Sequence, residues 1–212
     1  MAQRNPITEM CFEEIFSGTS GYTVNNNAIA YHKESNGEDF TGKTLYGETP
    51  LNTIRSIFSH HLIAQDINAA RTFYDLGSGI GNVAIAVGML GFFKEINGVE
   101  LFKLSHDNAT FFHNVLSDVF PETASKISFW NESFLEHDFS HADVIFANHP
   151  IKSENKELLN ALEEKFQQLK KGAIIIYVIR GLENTQHFSH LFSQKFPFSW
   201  GEATVHCYKK LV

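Results

Sequence analysis

Two acids and a run of alternating glycines carry the strongest chemical signal in the chain. Asp75-Leu76-Gly77-Ser78-Gly79-Ile80-Gly81 is a glycine loop with a carboxylate at its entrance, and Glu100 ends the next apolar segment. Glycines at alternate positions let a backbone turn sharply and approach a ligand with no Cβ in the way. Between a strand and a helix, such a loop grips a nucleotide, and an acid ending the following strand accepts hydrogen bonds from ribose hydroxyls. A dinucleotide site uses the same acid, so the loop must discriminate. The dinucleotide fingerprint is G-x-G-x-x-G, with the helix end facing a pyrophosphate. Here the third glycine comes one residue early and Asp75 stands before the loop. A carboxylate repels a diphosphate but suits the ammonium of an amino-acid group. A ribose, an ammonium and no diphosphate describe S-adenosylmethionine, and the chemistry expected there is methyl transfer.

The elements that must hold these residues alternate along the chain. A helix is expected from Thr49-Pro50, since proline suits a first helical turn, with Leu51, Ile54, Ile57, Phe58 and Leu62 at helical spacing. Strands are expected at Phe73–Leu76, Glu95–Glu100, Ile127–Trp130, Ala142–Ala147 and the wholly apolar Ala173–Ile179, with helices at Asn82–Leu90, Leu101–Val119 and Ser153–Leu169 between them. A further helix is expected around Thr185–Phe192, then a strand over Ala203–Leu211 pairing antiparallel at the sheet edge. This strand brings His206, Cys207 and Tyr208 near the site, with the inward-facing residue set by register. The pattern predicts an α/β fold of the class I methyltransferase (Rossmann-like) kind: a mostly parallel sheet with an antiparallel carboxyl-terminal strand. Residues 1–49, punctuated by Gly18, Gly21, Gly37, Gly42 and Gly47, read as an amino-terminal arm or lid with some short helix or strand, and residues 50–212 as the catalytic domain.

Bulk properties exclude several classes. The chain has 212 residues and a formal charge of −7, with its basic residues scattered, so extended nucleic-acid binding has no electrostatic support. Acidic patches suit a basic protein or peptide partner. No apolar run is long enough for a membrane span, and the first residues show no secretory pattern, so a cytoplasmic protein is expected. Cys11 and Cys207 lie at opposite ends and are expected to be reduced. Among the eleven histidines, His60-His61, His137 with His141, and His187 with His190 have local spacings but no carboxylate or thiol partners, so no metal is expected.

The order YGETPLNTIRSIFSHHLIAQDINAARTFYDLGSGIGN, followed by GVE, resembles the non-SET histone-lysine methyltransferases called disruptor of telomeric silencing. The resemblance covers roughly residues 45 to 180, and the order of its elements is more specific than any single one. It implies cofactor contacts from Tyr46, Glu48 and Thr49 in the Y-G-E-T segment, Asp75, Gly77 and Gly79 in the loop, Asn82 where the family has Gln, and Glu100. Phe134 matches a phenylalanine packed by the adenine, and Ser133 stands in place of an aspartate. Asn148, at the end of ADVIFAN, falls in the lysine channel, followed by His149 where the family has a second asparagine. A channel tyrosine near the carboxyl terminus falls at Cys207 or Tyr208.

The implied reaction is in-line methyl transfer to a neutral lysine amine, with Asn148 orienting the amine, Glu48 meeting the cofactor's ammonium, and Phe146, Tyr208 or Trp200 walling the channel. His149 has two readings, a channel group or a structural residue. The implied partner is a basic protein or peptide carrying lysine, histone among the candidates. A rival reading starts from Asn148-His149-Pro150-Ile151, similar to the N-P-P-Y element of enzymes that methylate planar amino groups of adenine or glutamine. A third is a cofactor-binding module whose channel has decayed.

Overall fold

A computed structural model describes residues 6–40, 47–148 and 155–212. Its elements are α1 (Pro6–Ile15), α2 (Gly21–Asn36), α3 (Leu51–Phe58), α4 (Ala64–Ala69), β1 (Thr72–Leu76), α5 (Asn82–Met89), β2 (Glu95–Val99) and α6 (Lys103–Val119). There follow α7 (Pro121–Ala124), β3 (Ile127–Trp130), β4 (Val144–Ala147), α8 (Lys156–Gln167), β5 (Ile174–Val178), β6 (Phe188–Phe198) and β7 (Gly201–Lys210). Among the described residues no helix is long and apolar enough to cross a membrane.

The seven strands form one sheet in the order β3-β2-β1-β4-β5-β7-β6. Strands β1 to β5 pair in parallel, and β7 runs antiparallel to both β5 and β6. The winding reverses between β1 and β4, and a crevice for ligand opens at the carboxyl ends of strands at such a point. Alternating side chains give the sheet two cores. Phe73, Val144, Phe146 and Ile176 face one with α3 and α5, while Tyr74, Leu76, Ile145 and Tyr177 face the other with Leu159, Leu162 and Phe166 of α8.

Three sequence expectations are corrected. The helix expected at Thr185–Phe192 is absent, and β6 starts at Phe188 instead. Phe188, Phe192 and Phe196 recur every four residues, a spacing that fits one face of a helix and one face of a strand equally. Pairing with β7 decides for the strand, and a bulge between His190 and Phe192 shifts its register, so that Phe188 and Phe192 enter opposite cores. Second, β7 is not the sheet edge: it lies between β5 and β6, and β6 with Pro197 takes the edge, where a missing N–H is tolerated. Third, the amino-terminal segment is more regular than its glycines suggest. Ser20 caps α2 by accepting from Thr23 N, and Gly37 ends it with φ 76°, so the glycines bound helices. Helix α1 packs on α5 and α6, with the Phe16 ring tilted against both Phe12 and Phe112, and α2 lies along α6.

The loop after β1 uses its glycines as expected. Gly77, Gly79 and Gly81 have φ values of 76°, 55° and 85°. At Gly81 a Cβ would also stand 2.6 Å from the Phe129 ring and 3.2 Å from Ala109 Cβ. Gly81→Ala is therefore expected to destabilise the protein by roughly 1–3 kcal/mol in urea unfolding, from backbone strain together with overpacking.

Candidate active site

A cavity open to solvent lies at the switch point. The loop contributes Asp75, Gly77, Ser78, Gly79 and Asn82, the end of β2 contributes Glu100, and the segment after β3 contributes Ser133 and Phe134. Asn148, just beyond β4, completes the set. Eight sequence-predicted residues (Asp75, Gly77, Gly79, Asn82, Glu100, Ser133, Phe134 and Asn148) thus line one cavity. Tyr46 and His149 lie outside the described residues.

Glu100 is buried and accepts from Gly79 N (Oε2, 2.8 Å) and Phe102 N (Oε1, 2.8 Å). One carboxylate thereby ties the glycine loop to the start of α6. Burial raises its pKa, opposed by amides of Phe102, Gly79 and Leu101. Glu100→Ala would leave both N–H groups without their acceptor, and a loss of roughly 1–3 kcal/mol is expected in thermal or urea denaturation.

Asp75 is a second perturbed acid of the site. Burial chiefly, and the Glu100 charge secondarily, push its pKa up to about 8, while the Ala84 amide pulls it down. Its Oδ2 and the Ser78 Oγ are buried without hydrogen-bond partners among the described residues. Both residues line the cavity, so the site holds polar capacity that a cationic, hydrogen-bonding ligand would satisfy. An amino-acid ammonium fits Asp75, and a ribose fits Glu100 at the next strand end.

The segment Gly47–Thr49 closes one end of the cavity. Asn148 Nδ2 donates to Gly47 O at 2.8 Å and lies 3.4 Å from Thr49 Oγ1. Glu48 N donates to Ser199 Oγ (3.1 Å), and Ser199 N donates to Glu48 O (3.2 Å), stitching the segment to the β6–β7 turn. Trp200 packs so closely on Gly47 that a Cβ there would lie 2.1 Å from the indole, which explains the glycine in the Y-G-E-T segment. The half-exposed indole in turn stacks on Phe198 at 4.7 Å. Glu48 and Thr49 face a second cavity that shares Asn82 with the first. The Glu48 Oε1 accepts from Gly21 N at 3.2 Å, at the start of α2, and the carboxylates that line the main cavity are Asp75 and Glu100.

Of the remaining aromatic candidates, Phe146 is fully buried against Phe58 in the core. Tyr208 pairs with Ile175, below the strand ends, and its hydroxyl accepts from Leu182 N at 3.2 Å. It does not line the cavity. Cys207 points to the opposite core, where burial pushes its thiol pKa up, and both cysteines are free.

Sequence reasoning missed Asn25, Phe40, Leu101, Phe102 and Leu158, which also line the cavity. Leu101 and Phe102 directly follow Glu100 and were legible from position alone. Asn25 and Phe40 come from the amino-terminal region, and no local pattern links them to the loop.

Residues 27–191 match the family profile described as "Histone methylation protein DOT1". No curated protein matches the chain by sequence. Among solved structures, an RNA methyltransferase from Salinibacter ruber, in complex with S-adenosyl-L-homocysteine, is 21% identical, with a TM-score of 0.55, covering 77% of this chain and 93% of that one. The methyltransferase domain of bacterial CtHen1-C is 18% identical, with a TM-score of 0.58, covering 76% and 100%. An rRNA methylase from Streptococcus thermophilus is 13% identical, with a TM-score of 0.51, covering 73% and 95%. At these identities the likeness is one of fold.

Proposed function

The chain belongs to the family of the histone methylation protein DOT1, and from that premise we propose that it is an S-adenosylmethionine-dependent protein-lysine N-methyltransferase. The observation that carries the reading is the setting of Asn148. Its Nδ2 is engaged by Gly47 O, which leaves the carboxamide oxygen to accept an N–H from an incoming amine. Gly47 is itself pressed against Trp200, so the carboxamide is held by packed groups and does not rotate freely.

When bound, S-adenosylmethionine supplies a methyl group on a sulfonium that is displaced in line. The protein's contribution is alignment. Of the residues that line the cavity, Asp75 would meet the amino-acid ammonium, Glu100 the ribose hydroxyls, and Ser133 and Phe134 would flank the base. The amine attacks as the neutral base after giving a proton to solvent, and apolar walls favour that form by desolvating its ammonium.

The test gives tritiated S-adenosylmethionine to the purified protein with histone octamers, nucleosomes and a cell lysate, followed by digestion of the products. Label recovered in methyl-lysine is the expected result. Label in RNA alone, or in glutamine, would overturn the lysine assignment and favour a planar amino substrate. Absence of label in every fraction, with cofactor bound, would favour a module without transferase activity.

A further inference from the structure

The cavity has a chemical imbalance. Its charged lining groups are both acids, Asp75 and Glu100, and among the described residues that line it there is no lysine, arginine or histidine. The cofactor assigned above carries a carboxylate as well as an ammonium on its amino-acid end. That carboxylate must be met by neutral donors.

Helix α2 brings such a donor. Its buried face is Gly21, Asn25, Ala28 and His32, at spacings that align on one side of a helix. One end is held by Glu48 Oε1, which accepts from Gly21 N at 3.2 Å. The other is held by His32, whose ring meets Phe40 at 5.5 Å and Phe102 at 5.4 Å. Phe102 N is in turn bound by Glu100. The helix therefore spans from the ribose acid to the segment that contacts Asn148. At roughly 1.5 Å rise per residue, Asn25 lies about 6 Å from Gly21 and about 10 Å from His32 along the axis, nearer the transfer end. Asn25 is 9% exposed, and it lines the cavity.

We infer that Asn25 is a cofactor-binding residue that donates its carboxamide N–H to the carboxylate of the amino-acid moiety, making α2 a structural wall of the cofactor site. This rests on the S-adenosylmethionine reading of the cavity. Of the other neutral donors, the Asn148 Nδ2 is engaged by Gly47 O, while the Ser78, Asn82 and Ser133 side chains share the cavity with Asn25. Aspartate at position 25 would set a third carboxylate against the ligand's own, so charge sign separates a direct contact from simple packing.

Calorimetry on the full chain tests this with two probes. S-adenosyl-L-homocysteine carries the amino-acid carboxylate, whereas 5′-methylthioadenosine keeps the adenosine and thioether without it. Asn25→Ala is expected to weaken S-adenosyl-L-homocysteine by about tenfold, and Asn25→Asp by more, from loss of a charge-assisted hydrogen bond and then repulsion. The affinity for 5′-methylthioadenosine should stay within about twofold for both variants, with Tm near that of wild type. Equal losses for both probes would overturn the inference and assign Asn25 a packing role, as would unchanged binding of S-adenosyl-L-homocysteine. Wild-type protein that binds neither probe would instead overturn the cofactor reading itself, and this inference with it.

Discussion

Asp75→Asn is expected to raise the Tm of the cofactor-free protein while weakening S-adenosylmethionine by at least about tenfold, the loss of a charge-assisted contact in a dry site. The two effects have opposite signs because one carboxyl group serves the ligand at the expense of the fold. Asp75 is 2% exposed, its Oδ2 lacks a partner among the described residues, and Glu100 stands near enough to raise its pKa. An uncharged carboxamide of the same shape removes the cost of holding that carboxyl protonated, and with it the ammonium's partner.

The same group gives stability a defined pH dependence. The carboxyl titrates at its ordinary 3.8 when unfolded and at about 8 when folded. Between those values the folded chain holds more protons than the unfolded chain, so stability present below about pH 4 is lost progressively as pH rises to about 8. Asp75→Asn should flatten that slope in Tm measured from pH 5 to 8. Binding should reverse the proton's position: an ammonium beside Asp75 favours the carboxylate, so cofactor binding at pH 7 should release a proton. Calorimetry in buffers of different ionisation enthalpy reads that release directly. Its absence in wild type would remove Asp75 as the ammonium's partner.

Asn148→Ala is expected to lower kcat by roughly 10²-fold, the scale of a misaligned reacting group, while S-adenosyl-L-homocysteine affinity changes by less than about threefold. The asymmetry follows from position. Asn148 stands just beyond β4 with its Nδ2 already engaged by Gly47 O and beside Thr49, whereas Asp75 and Glu100 are the proposed cofactor contacts. Asn148→Asp should be at least as damaging, since it replaces the donor to Gly47 O with an acceptor facing an acceptor. A kcat within threefold of wild type in the alanine variant would take Asn148 out of the transfer step. A large loss of cofactor affinity would make it a binding residue instead.

How much of this was legible before the tertiary structure differs from residue to residue. The glycine loop, Asp75 and Glu100 were readable because the ligand grip is local: alternating glycines need positive φ, and the acid follows directly from the strand end. The helix expected at Thr185–Phe192 was misread because phenylalanines four apart satisfy helical and extended periods alike, and only pairing with β7 chose between them. Tyr208 and Cys207 show the same dependence on register: the pairing with β5 turns Cys207 into one core and sends the Tyr208 hydroxyl to Leu182, away from the cavity. For Asn25 no local signal existed, since α2 reaches the site only by lying along α6.

By itself, the sequence determined the α/β alternation, the strand–loop–helix that lines the cavity, and the order of motifs that marks the family. Each is written in neighbouring residues through backbone conformation and apolar period. Only the tertiary structure decided which strand forms the edge, that α2 walls the cavity, and that Asp75 is dry enough to hold a proton near neutral pH. Those properties depend on burial and contact between segments far apart in the chain, where the energy of desolvation and packing is set by the whole fold.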